Sequence, residues 1–325
     1  MKENKSAIIW LLSGCFLIFT MVLIGGITRL TDSGLSISSW KLLGGAPPLN
    51  MKEWIAAFDI YKATPEGKMN SHFILSDFKA IFFWEYFHRM MGRLLGIVFL
   101  IPFCYFLIKK KLSKKLIIQT CILLVMGASQ GLIGWWMVKS GLVDRPDVSH
   151  FRLAVHLITA FLTCSYALWI ALSLILPSNR KGNKSIFYHL VGLFILVVIQ
   201  IIYGAFVAGL KAGRIYKTWP KMGEQWIPES VFLNPGAGYQ FIHRTLALII
   251  VAFTFYIWQK GKKIELSKLQ NQSLNILPTI VSLQTLLGIL TLIMIAPISL
   301  ALTHQIIAFL LLLSLVFNLA IFKQS

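Results

Sequence analysis

Residues 85–108 read EYFHRMMGRLLGIVFLIPFCYFLI, and residues 240–258 read QFIHRTLALIIVAFTFYIW. Each stretch opens on a His–Arg pair and runs on as apolar sequence. About 20 such residues, at 1.5 Å per residue, cross a hydrocarbon core of about 30 Å. The two stretches are also copies of one pattern, offset by 155 residues (240 minus 85). Two further pairs extend the repeat. SQGLIG at 129–134 matches LQTLLG at 283–288, and HLITAFL at 156–162 matches HQIIAFL at 304–310. Offsets this similar indicate one duplication with small changes in loop length.

Outward from these runs, the apolar sequence predicts eight spans, at about 8–27, 80–108, 116–138, 151–176, 186–210, 239–258, 275–296 and 298–322. Helices are expected, because an open strand in lipid leaves backbone groups unpaired. Four spans separate the copies. An even number keeps both copies facing the same way, as a parallel repeat about an axis along the membrane normal. The expected fold is an all-α integral membrane protein, with eight transmembrane helices arranged as two four-helix bundles. The halves are expected at 1–176 and 177–325.

Composition agrees with this class. The 325 residues are 57% hydrophobic and 13% charged, with mean hydropathy +0.73. A formal net charge of +19 would suggest nucleic acid in a soluble chain. Here the basic residues sit in short loops between spans, as the positive-inside bias produces, and no basic stripe for nucleic acid is evident. The N-terminus, Lys109–Lys115, Pro177–Ser185, Gln259–Lys268 and the C-terminal tail hold 15 Lys and Arg against Glu3 and Glu265. That side is expected to be cytoplasmic, with both termini inside. Cys15, Cys104, Cys121 and Cys164 all lie in apolar spans without a CxxC pair, and read as small buried hydrophobes. The first span is long enough to stay as an anchor. The outer loops, about Thr28–Lys79 and Lys211–Gly238, are long enough to serve as lids over a site or to be tolerated insertions.

Four of the seven histidines, His88, His156, His243 and His304, fall near the outer starts of the second, fourth, sixth and eighth spans. The repeat pairs His88 with His243 and His156 with His304. A single histidine in a span is commonly a packed, hydrogen-bonded residue; four at one depth, in duplicate, point to ligands. A bundle core can clamp a porphyrin between two axial histidines, giving one haem site per half. Arg89, Arg93, Arg152 and Arg244 are placed to meet haem propionates, or, as ordinary interfacial arginines, to snorkel to the surface. Glu85, the one acid in any span, shares a helix face with His88. Its counterpart is Gln240, while Arg93 and Arg152 correspond to Leu248 and Leu300. Glu85 therefore suits proton transfer in a reactive first half, or a structural hydrogen bond. A di-haem cytochrome that only carries electrons is the alternative. It would need haems at different depths, and a transporter would need none.

The runs GGITRLTDSGLSI, WEYFHRMMGRLLG, GASQGLIGWWMVKSGL, FRLAVHL, AGRIYKTWPKMG and FIHRTLA resemble the heme A synthase family over nearly the whole chain. They are similar to its proteobacterial and mitochondrial class, since the cysteine pair of the other class is missing from the first outer loop. The resemblance implies oxidation of a methyl group of heme O to the formyl group of heme A, by successive hydroxylation and loss of water. It implies heme B on the iron ligands His243 and His304, substrate haem near His88 and His156, and a functional role for Glu85. It further implies a bacterial inner membrane location, an unidentified electron donor, and delivery of product to a haem–copper terminal oxidase. Links to heme O synthase and to oxidase assembly, and a homo-oligomeric state, are the remaining partner expectations.

Overall fold

The computed structural model describes residues 4–38, 45–142, 147–177 and 180–324. Eleven α-helices follow in order: α1 (Lys5–Leu30), α2 (Met51–Lys62), α3 (Pro65–Met69), α4 (Leu75–Ile108), α5 (Lys114–Lys139), α6 (His150–Ile175), α7 (Lys184–Gly209), α8 (Ser230–Leu233), α9 (Pro235–Lys262), α10 (Lys268–Ile293) and α11 (Ile298–Phe322). A 3-10 turn occupies Ala212–Arg214. Among the described residues the extended backbone amounts to one isolated bridge, Met222 with Gln225. Eight helices are long and apolar enough to cross a membrane, and the chain is a multi-pass membrane protein.

The expected spans are all present, and their ends differ for local reasons. α10 begins seven residues before 275, because Ser267 and Gln270 form a reciprocal capping box that satisfies its first backbone N–H groups. α9 begins at Pro235, with the Asn234 side chain accepting from the Gly236 and Ala237 N–H groups. α4 has 34 residues, about 50 Å at 1.5 Å per residue, so its first turns extend beyond a hydrocarbon core.

That extension gives the first outer loop something to fold on. Where the sequence predicts a loop, α2 and α3 form. Asn50 and Thr64 cap them with side-chain bonds to Glu53 N and Gly67 N. Trp54, Phe58 and Tyr61 pack against Phe78 and Phe82 of α4, with ring centroids 5.1–6.3 Å apart. Aromatic packing of this kind offsets the entropy of ordering a long connection.

By internal contacts the chain forms two compact units, residues 16–160 and residues 1–15 with 161–325. The sequence expectation divides the chain at 176 along the duplication. The compact units divide it within α1 and α6. In the second unit α7 packs on α9, α9 on α10, α10 on α11, and α11 back on α7, closing a four-helix ring. Ile186, Leu190, Leu193, Val197 and Ile201 line the inner face of α7, at the three- and four-residue spacing of a helix.

Glu66, on α3, is buried, and its Oε2 has no partner among the described residues. Burial, and then the nearby charges of Glu85 and Asp32, push its carboxyl up to about 8. The folded loop thus favours the neutral acid. This stabilisation is complete below the ordinary carboxylate range and is lost as pH rises through the folded value. Amide protection of α2 and α3 is expected to fall as pH rises from the ordinary carboxylate range to about 8 and to level off above it, beyond the intrinsic rise in exchange, and Glu66→Gln should remove that dependence. The same loss of protection in the Gln variant would refute the assignment.

Candidate haem site

Each of the four histidines meets a glycine on a neighbouring helix. A Cβ added at Gly25 of α1 would lie 3.0 Å from Cε1 of His88 on α4, and one at Gly134 of α5 would lie 3.2 Å from Cε1 of His156 on α6. In the second unit the corresponding distances are 3.0 Å from Gly204 of α7 to His243 on α9, and 2.9 Å from Gly288 of α10 to His304 on α11. Any side chain at these four positions would crowd the imidazole. The edge of each ring thus rests on bare backbone, and each histidine remains only half-buried. His88 and His156 lie within electrostatic range of each other, and so do His243 and His304. Each unit therefore brings together the two histidines of its own half.

These glycines are candidate site residues that the sequence alone did not single out. The signal was present, because the repeat motifs SQGLIG and LQTLLG both end on the glycine concerned. Contact with a histidine about 20 residues away could not be read from that motif.

The rings also keep free hydrogen-bonding atoms. Nδ1 of His88 and Nδ1 of His304 are buried without a partner among the described residues. His243 Nδ1 lies 3.2 Å from the Gln200 carbonyl oxygen, a contact that orients the ring and would leave Nε2 free to bind a metal. No three His, Cys, Asp or Glu side chains among the described residues converge as a bare-metal cluster. Two half-buried imidazoles within electrostatic range of each other, each set close by glycine, are the side chains that would hold a porphyrin iron.

Glu85 is buried, and three donors converge on it. Arg89 donates to Oε1 at 2.6 Å, Ser36 Oγ to Oε2 at 2.7 Å, and the Ile37 N–H to Oε2 at 2.9 Å. Arg89 also donates to the Ile37 carbonyl at 2.8 Å. One carboxylate thus fastens Ser36 and Ile37 of the outer loop to α4, one turn from His88. Gln240 does the equivalent in the second unit by donating to the Tyr216 carbonyl at 2.8 Å. Loop anchoring is shared between the copies, whereas the negative charge belongs to the first alone.

The arginines are placed as follows. Arg244 donates to the carbonyls of Thr218, Pro220 and Lys221 at 2.7–3.1 Å and lies over the Trp219 ring, while its buried NH1 has no partner among the described residues. Arg152 donates to the Trp136 carbonyl at 2.7 Å and stacks on that ring. Arg93 reaches Met90 Sδ at 3.7 Å. Arg89 and Arg244 hold the two outer loops, a role the sequence reading did not anticipate.

The COX15-CtaA family of cytochrome oxidase assembly proteins matches residues 8–316. A heme A synthase of Flavobacterium johnsoniae is 50% identical, with 98% of each chain covered. The chain belongs to the heme A synthase family. A second family member, from Flavobacterium psychrophilum, is 48% identical over the full length of both chains. A third, from Nitrosospira multiformis, is 41% identical over 93% of this chain and 89% of its own. The match spans both histidine pairs, both outer loops and Glu85, so the whole of the arrangement above lies within the shared family region.

Proposed function

We propose that this chain converts heme O to heme A, with the substrate haem held between His88 and His156 and a resident heme B between His243 and His304. Two hydroxylations of one methyl carbon, each a two-electron oxidation in which a C–H hydrogen leaves as a proton, an oxygen atom enters from dioxygen or water and an external oxidant takes up the electrons, give a geminal diol, which loses water to leave the formyl group. The resident heme B would supply one-electron redox chemistry. The protein's own residues set ring orientation, exclude water under the outer loops, and place one carboxylate beside the substrate half. The observation that carries this reading is the duplicated pair of glycine-backed histidines, combined with family membership. The product would serve a haem–copper terminal oxidase, and the electron donor is a separate component. Extraction and chromatography of the haems bound and formed by the purified protein test the reading. Retained heme B with heme O turned over to heme A is the expected result. Bound haem with no conversion under reducing and oxygenated conditions would instead make the protein a di-haem electron carrier.

Glycine at 204 and 288 should be as important to the resident haem as the ligands themselves. Gly288→Val places branched carbon where even one Cβ would sit 2.9 Å from His304. Overpacking typically costs about 1–3 kcal/mol, and the ring must rotate away. Haem content of Gly204→Val and Gly288→Val should fall about 10–100-fold in affinity terms, the range for disturbed ligand support. Full haem occupancy with an unchanged spectrum in both would remove the glycines from the site.

The excess of Lys and Arg in the segments that include Lys109–Lys115 supports a cytoplasmic side there, in a bacterial inner membrane, with the long loops outside. Single cysteines introduced at Lys52 and Lys217 should react with an impermeant thiol reagent in spheroplasts, and one at Lys110 should not. Labelling of the Lys110 site alone would invert the topology.

A further inference from the structure

Between α10 and α11, at the helix ends away from His304, lies a groove of about 190 Å³. Leu269, Ile276 and Phe317 form its apolar wall, and Ser273, Ser314 and Asn318 supply polar atoms. All six belong to one compact unit. The volume is below the roughly 300–1,000 Å³ of a site that encloses a whole small ligand. It suits the head of a longer molecule whose tail stays in lipid, since Leu269 and Ile276 are exposed on the helix surface. The donors of the three polar residues are already committed. Asn318 Nδ2 donates to the Ser314 carbonyl at 2.9 Å, Ser314 Oγ to the Leu311 carbonyl at 2.8 Å, and Ser273 Oγ to the Gln270 carbonyl at 3.0 Å. What they retain is acceptor capacity: the lone pairs of two hydroxyls, and Asn318 Oδ1, which is buried without a partner among the described residues. Gln272, the remaining polar residue of the lining, is exposed.

A buried amide oxygen without a donor is costly, and hydrocarbon offers no water to relieve it. The shared fold does not demand this one. The offset of 148 (304 minus 156) that aligns HLITAFL with HQIIAFL sets Ile170 in the place of Asn318, and Ile170 is fully buried. Nor does Asn318 tie two helices together, because its hydrogen bond returns to its own helix. An acceptor kept in this way points to a donor that arrives from outside the chain.

Depth narrows the ligand. α11 has 25 residues, about 37 Å at 1.5 Å per residue, against a hydrocarbon core of about 30 Å. Asn318 stands four residues before the last, Phe322, about 6 Å from the helix end, and so just inside the hydrocarbon boundary. Phospholipids present ester carbonyls at that level, and an acceptor cannot satisfy another acceptor. The ligand needs a hydroxyl donor at the boundary, a long apolar tail, and a flat head to lie against Phe317. We propose that this groove binds the head of a membrane quinol, whose ring O–H donates to Asn318 Oδ1. A quinol is also a redox partner that a membrane oxidoreductase can meet without leaving the bilayer. The site stands apart from the haem assignment, and its test reads binding without passing through haem.

Photolabelling tests this. Full-length protein in nanodiscs of phosphatidylethanolamine and phosphatidylglycerol is irradiated, under argon, with a decylquinol carrying a diazirine on its tail. Labelled peptides are located by mass spectrometry. Unlabelled decylquinol, the matching quinone and dioctanoylglycerol serve as competitors. Label should fall within residues 269–276 and 314–318. Decylquinol should displace it at least 10-fold more effectively than the quinone, whose ring oxygens only accept, or the diacylglycerol, which carries a hydroxyl but no ring. Asn318→Leu should weaken labelling at least 10-fold while the melting temperature holds or rises, because an apolar group of similar size replaces an unpaired oxygen. Ile276→Trp, at an exposed position, should block the groove without disturbing the core. Labelling within twofold of wild type in both variants would overturn the proposal. So would equal displacement by the quinone or by diacylglycerol, which would leave a crevice for any lipid. A drop in melting temperature with Asn318→Leu would make that residue structural, and unchanged labelling of Ile276→Trp would then remove the groove as well.

Discussion

Replacement of His243 or His304 by alanine is expected to leave protein almost free of heme B. Both rings lie against glycine backbone, at 3.0 and 2.9 Å from a would-be Cβ, and the helices carrying them belong to the closed ring of α7, α9, α10 and α11. Alanine removes an axial ligand without disturbing that ring, because each imidazole is only half-buried and the helix cores elsewhere stay filled. The folded protein should therefore be recovered with haem greatly depleted, and what remains should be five-coordinate and should bind exogenous imidazole. His88→Ala and His156→Ala should spare heme B and abolish retention of heme O. Pyridine haemochrome spectra of the four variants make the comparison. Heme B lost equally from all four would show that the two units share one site, and heme B retained in His243→Ala and His304→Ala would place it elsewhere.

Glu85→Gln is expected to lower heme A formation by roughly two to four orders of magnitude, the contribution of a positioned acid–base group. The variant should still assemble, keep heme B and accumulate heme O or a hydroxylated form. Each oxidation of the methyl carbon releases protons and passes through electron-poor carbon, which a nearby carboxylate can relieve by taking a proton or by its charge. The structure adds a competing role, since the same carboxylate fastens Ser36 and Ile37 and pairs with Arg89. Leaving a buried arginine without its partner destabilises by about 3–5 kcal/mol in typical cases. Arg89 keeps the Ile37 carbonyl, so the penalty here should be at the lower end. Ser36→Ala separates the roles by removing one loop contact while preserving the charge. If loop anchoring explains the loss, Ser36→Ala will approach the effect of Glu85→Gln. If the charge explains it, Ser36→Ala will remain within about 10-fold of wild type, the scale of one hydrogen bond of about 1 kcal/mol. Wild-type heme A output from Glu85→Gln would make the carboxylate structural.

Apolar length, charge asymmetry and internal repetition are properties of the chain itself, and they determined the class, the eight spans and the correspondence of His88 with His243 and His156 with His304. A membrane enforces this, because a backbone in hydrocarbon must close its hydrogen bonds within each helix, so span length follows from local sequence with little tertiary input. The difference in charge between the copies was also legible, as Glu85 against Gln240. Tertiary structure decided everything that depends on which atoms meet across helices. The backing glycines carry no side chain whose character could announce them; they matter through what is absent at 3 Å from a ring on another helix. Arg89 and Arg244 looked like propionate partners by position, yet their guanidinium groups bind loop carbonyls, because a fork of donors takes whichever acceptors the folded loop presents. The first outer loop became two helices because α4 runs far enough past the hydrocarbon to offer Phe78 and Phe82 as a floor, and burial of that aromatic surface, a long-range event, overrides the weak helical signal of a segment rich in turn-forming residues.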